Sequence, residues 1–256
     1  RVLPAAERAA LLATYWKLPG DAAQPWVVLA DESWLHPAHQ EILAPAWISS
    51  GVVVALMLAA SAVVRPQLPP GVRIPIHWGL DGKPNGYGGA AMGLLCTPVL
   101  AAAMSVVLGL MPLADKDLAR SRPSLRAYRG LWLGMLALLA LIHGCLLAAA
   151  LLVDVPVDRV VLAALGALLA YCGTVLKHLE PNRVIGIRTR ATLSDPGLWR
   201  RVHRGAAPFF YAHGGLLLLA ALLGAPAPWL AGILFGGLLL GTVALFVFTS
   251  KYKPAA

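Results

Sequence analysis

Long apolar stretches without charge alternate with short polar segments along most of the chain. Six of them approach the length of about 20 residues that a helix needs to cross about 30 Å of hydrocarbon. They cover residues 47–64, 90–113, 130–153, 160–176, 207–223 and 229–248. The last two separate at Gly224–Pro228, because two prolines cannot continue a helix. The pattern predicts an all-α polytopic membrane bundle of six transmembrane helices with short interfacial helices.

The composition supports a membrane protein. The chain is 59% hydrophobic and 13% charged, with a mean hydropathy of +0.71, whereas soluble domains are about 25% charged. A disordered chain is therefore excluded, and the composition argues against an ordinary soluble domain. The three cysteines, Cys96, Cys145 and Cys172, all lie in apolar stretches. They form neither a disulfide framework nor a metal-binding spacing.

The basic residues predict the orientation. Of the 21 Lys and Arg residues, all but Arg65, Arg73, Lys83 and Arg159 fall on one side of a six-span topology. The positive-inside rule places that side, with both termini, in the cytoplasm of a cell whose plasma membrane the chain spans. The net charge of +9 thus predicts contact with anionic lipid headgroups rather than with nucleic acid.

The topology divides the chain into three parts. Residues 1–46 form an N-terminal cytoplasmic or interfacial segment of unknown role, with an amphipathic helix predicted over Pro4–Leu18. Residues 47–113 contain spans one and two and a Pro/Gly-rich extracytoplasmic loop at 65–89. Residues 114–256 contain spans three to six and a long cytoplasmic loop at 177–206.

The predicted spans contain no Asp, Glu, Lys or Arg. Their most polar residues are His143, Tyr171, Tyr211 and His213. An intramembrane histidine either forms an interhelical hydrogen bond or belongs to a polar path. Trp47, Trp132 and Trp229 lie at predicted span edges, where indoles anchor to the membrane interface.

The extracytoplasmic loop is rich in Pro and Gly, so turns and a short extended piece at Arg73–Trp78 are expected there. The turn dipeptides Asp81-Gly82 and Asn85-Gly86 tolerate positive φ. The loop is interpreted either as a structural cap or as a recognition surface for an external ligand. Its candidate recognition residues are Pro75, His77, Trp78, Gly82, Gly86 and Tyr87.

The cytoplasmic loop contains a strong helix start at Asp195-Pro196. A short interfacial helix is expected after it, with Leu198, Trp199 and Val202 facing lipid. Glu180 is expected to pair with nearby arginines. The loop is either a lipid-anchored structural element or a partner site. Its candidate residues are Glu180, Pro181, Asn182, Arg183, Gly186, Arg188, Thr189, Thr192, Trp199 and His203.

Both loops resemble those of a known family. The run from Leu68 to Tyr87 resembles a small extracytoplasmic module that often accompanies the SdpI family of bacterial membrane proteins. The run from Glu180 to Arg204 resembles the signature cytoplasmic loop of that family. With the intervening spans, the resemblance covers about residues 47–252. The family pattern falls on Pro75, His77 and Gly82 outside, and inside on Pro181, Asn182, Gly186, Arg188, Thr189, Thr192, Trp199 and His203.

The resemblance implies a multispan immunity or signalling protein. Such a protein protects the cell from a secreted peptide toxin and recruits a cytoplasmic transcriptional repressor. We therefore expect a non-enzymatic protein without catalytic, cofactor-binding or metal-binding residues. The alternatives are a small transporter or channel with a polar path through His143 and His213, and a membrane enzyme that acts on headgroups through Glu180 and His203.

Overall fold

A computed structural model describes residues 37–250. Within this range the chain forms eight α-helices and one two-stranded antiparallel sheet. In chain order the elements are α1 Pro37–Val64, β1 Ile74–Trp78, β2 Pro84–Gly88, α2 Ala90–Leu110, α3 Lys116–Arg120, α4 Arg122–Ala150, α5 Val157–His178, α6 Arg190–Ser194, α7 Pro196–Leu222 and α8 Ala227–Ser250. The helix predicted over Pro4–Leu18 lies outside the described residues.

Six of these helices are long and apolar enough to cross a membrane. They are α1, α2, α4, α5, α7 and α8. The prediction of an all-α, six-span membrane bundle is thereby confirmed. The two remaining helices, α3 and α6, have five residues each and lie in the loops between spans.

Two of the spans that begin earlier than the apolar pattern predicts start at a side-chain cap. Helix α4 begins at Arg122 and α7 begins at Pro196. Side-chain oxygens of Ser121 and Asp195 cap these two starts by accepting hydrogen bonds from backbone N–H groups. In these two helices the capping group, and not the onset of hydrophobicity, therefore decides where the helix begins.

The early start of α7 corrects the prediction of a separate interfacial helix after Asp195. The helix runs without interruption into the fifth span. Leu198, Trp199 and Val202 are buried in the protein and do not face lipid. The apolar side of this helix packs against α5 and against residues 179–195, which fold back over it. We call residues 179–195 the signature loop.

The two ends of the bundle are distinct. At one end the Asp115 carboxylate accepts a hydrogen bond from the Arg183 backbone N–H, which joins the two basic loops. We call this end, formed by residues 111–121 and 179–195, the basic face. At the other end the turn at Gly82 lies against Asp158 and Ala227. We call this end, formed by residues 65–89, 151–156 and 223–226, the hairpin face.

Helices α1, α2 and α4 pack against one another, and Trp132 of α4 is central to this group. Its indole is 1% exposed and donates a hydrogen bond to Ser50 Oγ at 3.1 Å. Its ring meets that of Trp47 edge to face, with 5.3 Å between the centroids. The prediction that Trp132 anchors at the membrane interface is therefore wrong. Trp229 is 72% exposed.

Glycines allow α5 and α7 to approach at backbone distance. A Cβ atom added to Gly166 would lie 2.6 Å from the Leu218 backbone nitrogen. One added to Gly173 would lie 2.8 Å from the Ala207 carbonyl oxygen. Gly214 faces the Ala170 backbone in the same way. Small residues at such contacts are a common basis for helix association in lipid.

We expect Gly214→Ala to destabilise the bundle, because the new methyl group meets the backbone of Ala170 and cannot be accommodated by a rotamer change. Overpacking of this kind costs about 1–3 kcal/mol. Thermal unfolding of the purified protein in detergent measures the effect. Gly215→Ala is the matched control, since a Cβ at Gly215 has nothing within 4 Å. It should leave the midpoint unchanged or raise it, because alanine favours helix. Equal losses in the two variants would contradict the proposed contact.

Candidate functional site

The Pro/Gly-rich loop at residues 65–89 folds into a β-hairpin, β1–β2, with an irregular register after Pro75. Ile74 anchors it, since this side chain is fully buried with Val64, Leu68 and Leu94. Gly93 of α2 provides the space, because an added Cβ there would lie 2.9 Å from Ile74 Cβ. The short extended piece predicted at Arg73–Trp78 is thus the first strand of a hairpin that is docked on the bundle.

Polar contacts of the hairpin fix its exposed side. His77 Nδ1 donates to the Asn85 side-chain oxygen at 2.5 Å. The Arg73 guanidinium donates to the Tyr87 carbonyl at 3.2 Å. Gly86 lies directly across from His77, where a Cβ would approach the His77 Cβ to 2.9 Å. His77 and Tyr87 therefore stay exposed on a defined surface, while Pro75 and Trp78 are half-buried.

The hairpin turn reaches across the bundle. Gly82 has a φ of +76°, a conformation that favours glycine. A Cβ added to Gly82 would lie 2.9 Å from the Asp158 carboxylate and 3.0 Å from Ala227 Cβ. The turn therefore contacts the first turns of α5 and α8, although the strands are anchored on α1, α2 and α4.

A cavity of about 470 Å³ lies beneath the hairpin. Its walls are mostly apolar and come from the hairpin and from α2, α4, α5 and α8. Polar side chains on its lining include those of His77, Thr97 and Asp158. The volume is in the range of small-ligand sites, about 300–1,000 Å³. The hairpin residues singled out by the sequence, His77 and Trp78, thus form part of the cover of a cavity.

On the basic face, Asn182 organises the first half of the signature loop. Its side chain is 2% exposed. Its Oδ1 accepts hydrogen bonds from the backbone N–H groups of Val184 and Ile185, at 2.9 and 2.8 Å. Its Nδ2 donates to the Glu180 carbonyl at 2.8 Å. The preceding Pro181 is half-buried. One buried amide thus closes a turn that has no regular secondary structure.

The loop is attached to its neighbours by backbone groups. Asp115 Oδ2 accepts from the Arg183 N–H, and the Ser124 hydroxyl accepts from the Glu180 N–H at 2.9 Å. The Arg188 guanidinium donates to the Arg183 carbonyl. Within residues 37–250, ion pairs join Arg122 to Glu41 and Arg201 to Asp195. The expected pairing of Glu180 with arginines is replaced by these backbone contacts.

Gly186, Trp199 and His203 form a buried contact beneath the loop. The His203 ring is 1% exposed and stacks on Trp199 with centroids 4.0 Å apart. His203 Nε2 accepts from the Ile187 N–H at 2.9 Å, so the ring proton is on Nδ1, which donates to the Trp199 carbonyl. Gly186 has a φ of +116°, and a Cβ there would lie 2.6 Å from His203 Nε2. Nε2 thus holds the loop, and Nδ1 fixes the ring to its own helix.

Thr189 and Thr192 form a reciprocal capping box at the start of α6. The fully buried Thr192 hydroxyl also donates to the Ile187 carbonyl at 2.7 Å. Asp195 then caps α7, as predicted. Hydrogen bonds from the Leu198 and Gly197 N–H groups, with nearby Arg201, hold the pKa of Asp195 below its ordinary value. This cap is therefore ionised at neutral pH.

Several arginines of the signature loop and of the first turns of α7 lie at the surface. Arg183, Arg188, Arg190, Arg200 and Arg204 are all exposed. The buried Asn182, Thr192 and His203 hold the loop backbone between these arginines at Val184, Ile185 and Ile187, and Arg200 and Arg204 belong to helix α7. The basic face therefore presents positive charge on a rigid framework.

His143 and His213 lie in different helix contacts. His143 Nδ1 accepts from the Thr97 hydroxyl at 2.8 Å, and Nε2 donates to the Met57 carbonyl at 3.0 Å, which links α1, α2 and α4. His213 Nε2 donates to the Ile233 carbonyl of α8 at 3.1 Å. Tyr211 meets Thr174 of α5, and Tyr171 is exposed. These separate neighbours do not support a polar path through the two histidines.

The arrangement that an enzyme would need is also not supported. Both His203 nitrogens are engaged by backbone groups. Glu180 is exposed and is held through its own backbone N–H and carbonyl. The two side chains do not form an acid–base pair with each other.

Sequence reasoning missed Asp115, Ser124 and Asp158, which join separate parts of the chain. Asp115 carried a signal that was available, because it precedes a short helix and caps it through the Asp117 and Leu118 N–H groups. Its second contact, to Arg183, spans 68 positions and has no local pattern.

The fold and the two faces together define a multi-pass helical membrane protein. A hairpin covers one end of it, and at the other end a loop with exposed arginines is held by buried polar side chains. Residues 178–250 match the profile of the SdpI/YfhL protein family. Residues 52–102 match a domain of unknown function, DUF1648. These two matches confirm the resemblance to the SdpI family and to its accompanying module. No curated protein and no solved structure matches the chain significantly.

We expect Asn182→Ala to open the signature loop, because it removes the acceptor of two backbone N–H groups and the donor to Glu180. Unsatisfied buried groups cost about 1–3 kcal/mol each. Limited trypsin digestion of the protein in detergent should then cut after Arg183 and Arg188 at least about tenfold faster. Ser194→Ala is the control, since its exposed hydroxyl bonds only Ala191 of its own turn. Unchanged cleavage in Asn182→Ala would show that the amide does not hold the loop.

Proposed function

We propose that the chain is a non-enzymatic immunity and signalling protein of the plasma membrane that recognises a membrane-active peptide at its hairpin face. The observation that carries this proposal is the docked hairpin, which covers a largely apolar cavity of about 470 Å³. Such a cavity suits the apolar side chains of a peptide that has already partitioned into the bilayer. The family resemblance supports the same role.

The contacts of the hairpin offer a route from recognition to response. Its strands are anchored on α1 and α2 through Ile74, whereas its turn at Gly82 lies against α5 and α8. Helix α5 packs tightly on α7, whose first turns hold Trp199 and His203 beneath the signature loop. A ligand that lifts or seats the hairpin therefore acts on helices that lead to the basic face.

The basic face is the proposed docking surface for a cytoplasmic regulator. Its exposed arginines suit an acidic surface of a partner protein, because complementary charges steer and orient association. This role requires the basic face to lie in the cytoplasm, as the distribution of Lys and Arg indicates. The hairpin face and the peptide site then lie outside the cell, and both termini lie inside.

Filling the outer cavity should weaken protection. A host that is sensitive to membrane-active peptides, expressing the chain, should survive higher concentrations of at least one peptide in a panel. Ala231 of α8 lines the outer cavity, so Ala231→Phe occupies the space that the peptide needs. Overfilling of this kind costs about 1–3 kcal/mol, which lowers the peptide concentration that the host survives about fivefold or more.

Val243→Phe is the matched control for that experiment, because Val243 lies on the same helix, is exposed and does not line the outer cavity. It should protect as the unchanged chain does. Expression and membrane insertion of both variants are compared by immunoblotting of the membrane fraction. A chain that protects against no peptide in the panel, or an Ala231→Phe variant that protects fully, would refute the proposed site.

The orientation can be tested by cysteine labelling. In a variant in which Cys96, Cys145 and Cys172 are replaced by alanine, Leu80→Cys places a thiol on the hairpin and Arg188→Cys places one on the basic face. A membrane-impermeant maleimide added to intact cells should label Leu80→Cys alone. Arg188→Cys should react only after the membrane is permeabilised. Labelling of both positions, or of Arg188→Cys alone, in intact cells would exclude a cytoplasmic regulator at the basic face.

A further inference from the structure

A second cavity lies between α7 and α8, at their ends nearest the basic face. Its volume is about 390 Å³. The two helices pack closely near the hairpin face through Leu217, Ala221 and Leu230. The cavity opens beyond the contact where Gly241 receives the Phe209 ring. It is therefore separate from the cavity beneath the hairpin and is lined by different residues.

The walls of this cavity are apolar for most of their extent. Phe209 and Phe210 of α7 and Leu238 and Leu245 of α8 contribute to them. The Thr242 hydroxyl also faces this region, but it already donates to the Leu238 carbonyl of its own helix. A ligand in this cavity must be apolar where it contacts these walls, because a polar group buried there would lose its hydrogen bonds.

The rim of the cavity carries a cation. Arg201 lines it and keeps 57% of its side chain exposed. Its ion pair with Asp195 is long, 3.7 Å, and lies at the surface, where such pairs contribute about 0–1 kcal/mol. The exposed part of the guanidinium can meet a phosphate group, which arginine binds with two parallel hydrogen bonds.

The position of the cavity agrees with a lipid ligand. Arg200 and Arg204 are exposed on the same helical turns as Arg201, which places positive charge at the membrane end of α7. Apolar walls next to that charge match the two parts of a phospholipid, an acyl chain and an anionic headgroup. We propose that this cleft between α7 and α8 is a binding site for an anionic phospholipid of the leaflet next to the basic face. The proposal does not depend on the proposed peptide recognition.

The test uses the full chain purified in detergent and titrated with phosphatidylglycerol or with phosphatidylcholine of the same acyl chains. Native mass spectrometry measures the fraction of protein that retains one lipid. The unchanged chain should retain phosphatidylglycerol about fivefold more strongly, as expected for one basic group at a headgroup. Arg201→Gln should remove this preference and leave the binding of phosphatidylcholine unchanged. Arg200→Gln, with the same loss of charge beside the cavity, should keep the preference.

The acyl-chain half of the site is tested separately. Ala244→Phe fills the cavity and should reduce retention of both lipids, whereas Val243→Phe, on the neighbouring position outside the cavity lining, should not. Thr242→Leu serves as a second filling variant if Ala244→Phe unfolds. Equal effects of Arg200→Gln and Arg201→Gln would overturn the proposal in favour of diffuse attraction. Unchanged retention in both filling variants would show that no acyl chain enters the cavity.

Discussion

Hydrocarbon offers no hydrogen bonds, so each polar group within the bilayer must find its partner inside the protein. This constraint accounts for the six helices and also for the rare polar side chains between them. His143 uses both ring nitrogens to join α1, α2 and α4. Trp132, expected at the membrane edge, lies inside the bundle because Ser50 accepts its N–H. His143 and Trp132, whose types and positions pointed to transport or to interfacial anchoring, therefore join helices to one another.

The same rule extends to the basic face, where a loop of little regular structure is almost wholly held by side chains that satisfy its backbone. Asn182, Thr192 and His203 are buried beneath it and bind its N–H and carbonyl groups. Gly186 is required where the chain passes over His203. Half of the eight inner residues of the family pattern are thus buried supports, and the nearby arginines are exposed.

Closely packed helices connect the two faces. Gly166, Gly173 and Gly214 bring α5 and α7 to backbone contact, and packed interfaces transmit displacement because they have few voids. The hairpin turn touches α5, and α7 carries Trp199 and His203. This continuity gives a physical basis for the proposed recognition of a ligand at one membrane surface and the proposed response at the other. The proposed lipid site between α7 and α8 involves the same helix.

The sequence predicted the six spans, the Asp195 cap and the two informative loops, because hydrophobic length, capping and turn residues are local properties. It did not determine that α7 continues from Asp195 into the membrane, that Trp132 is buried, or that Asp115 holds Arg183. It also gave no indication of either cavity. These features depend on groups far apart in the chain, and only tertiary packing decides which buried donor meets which acceptor.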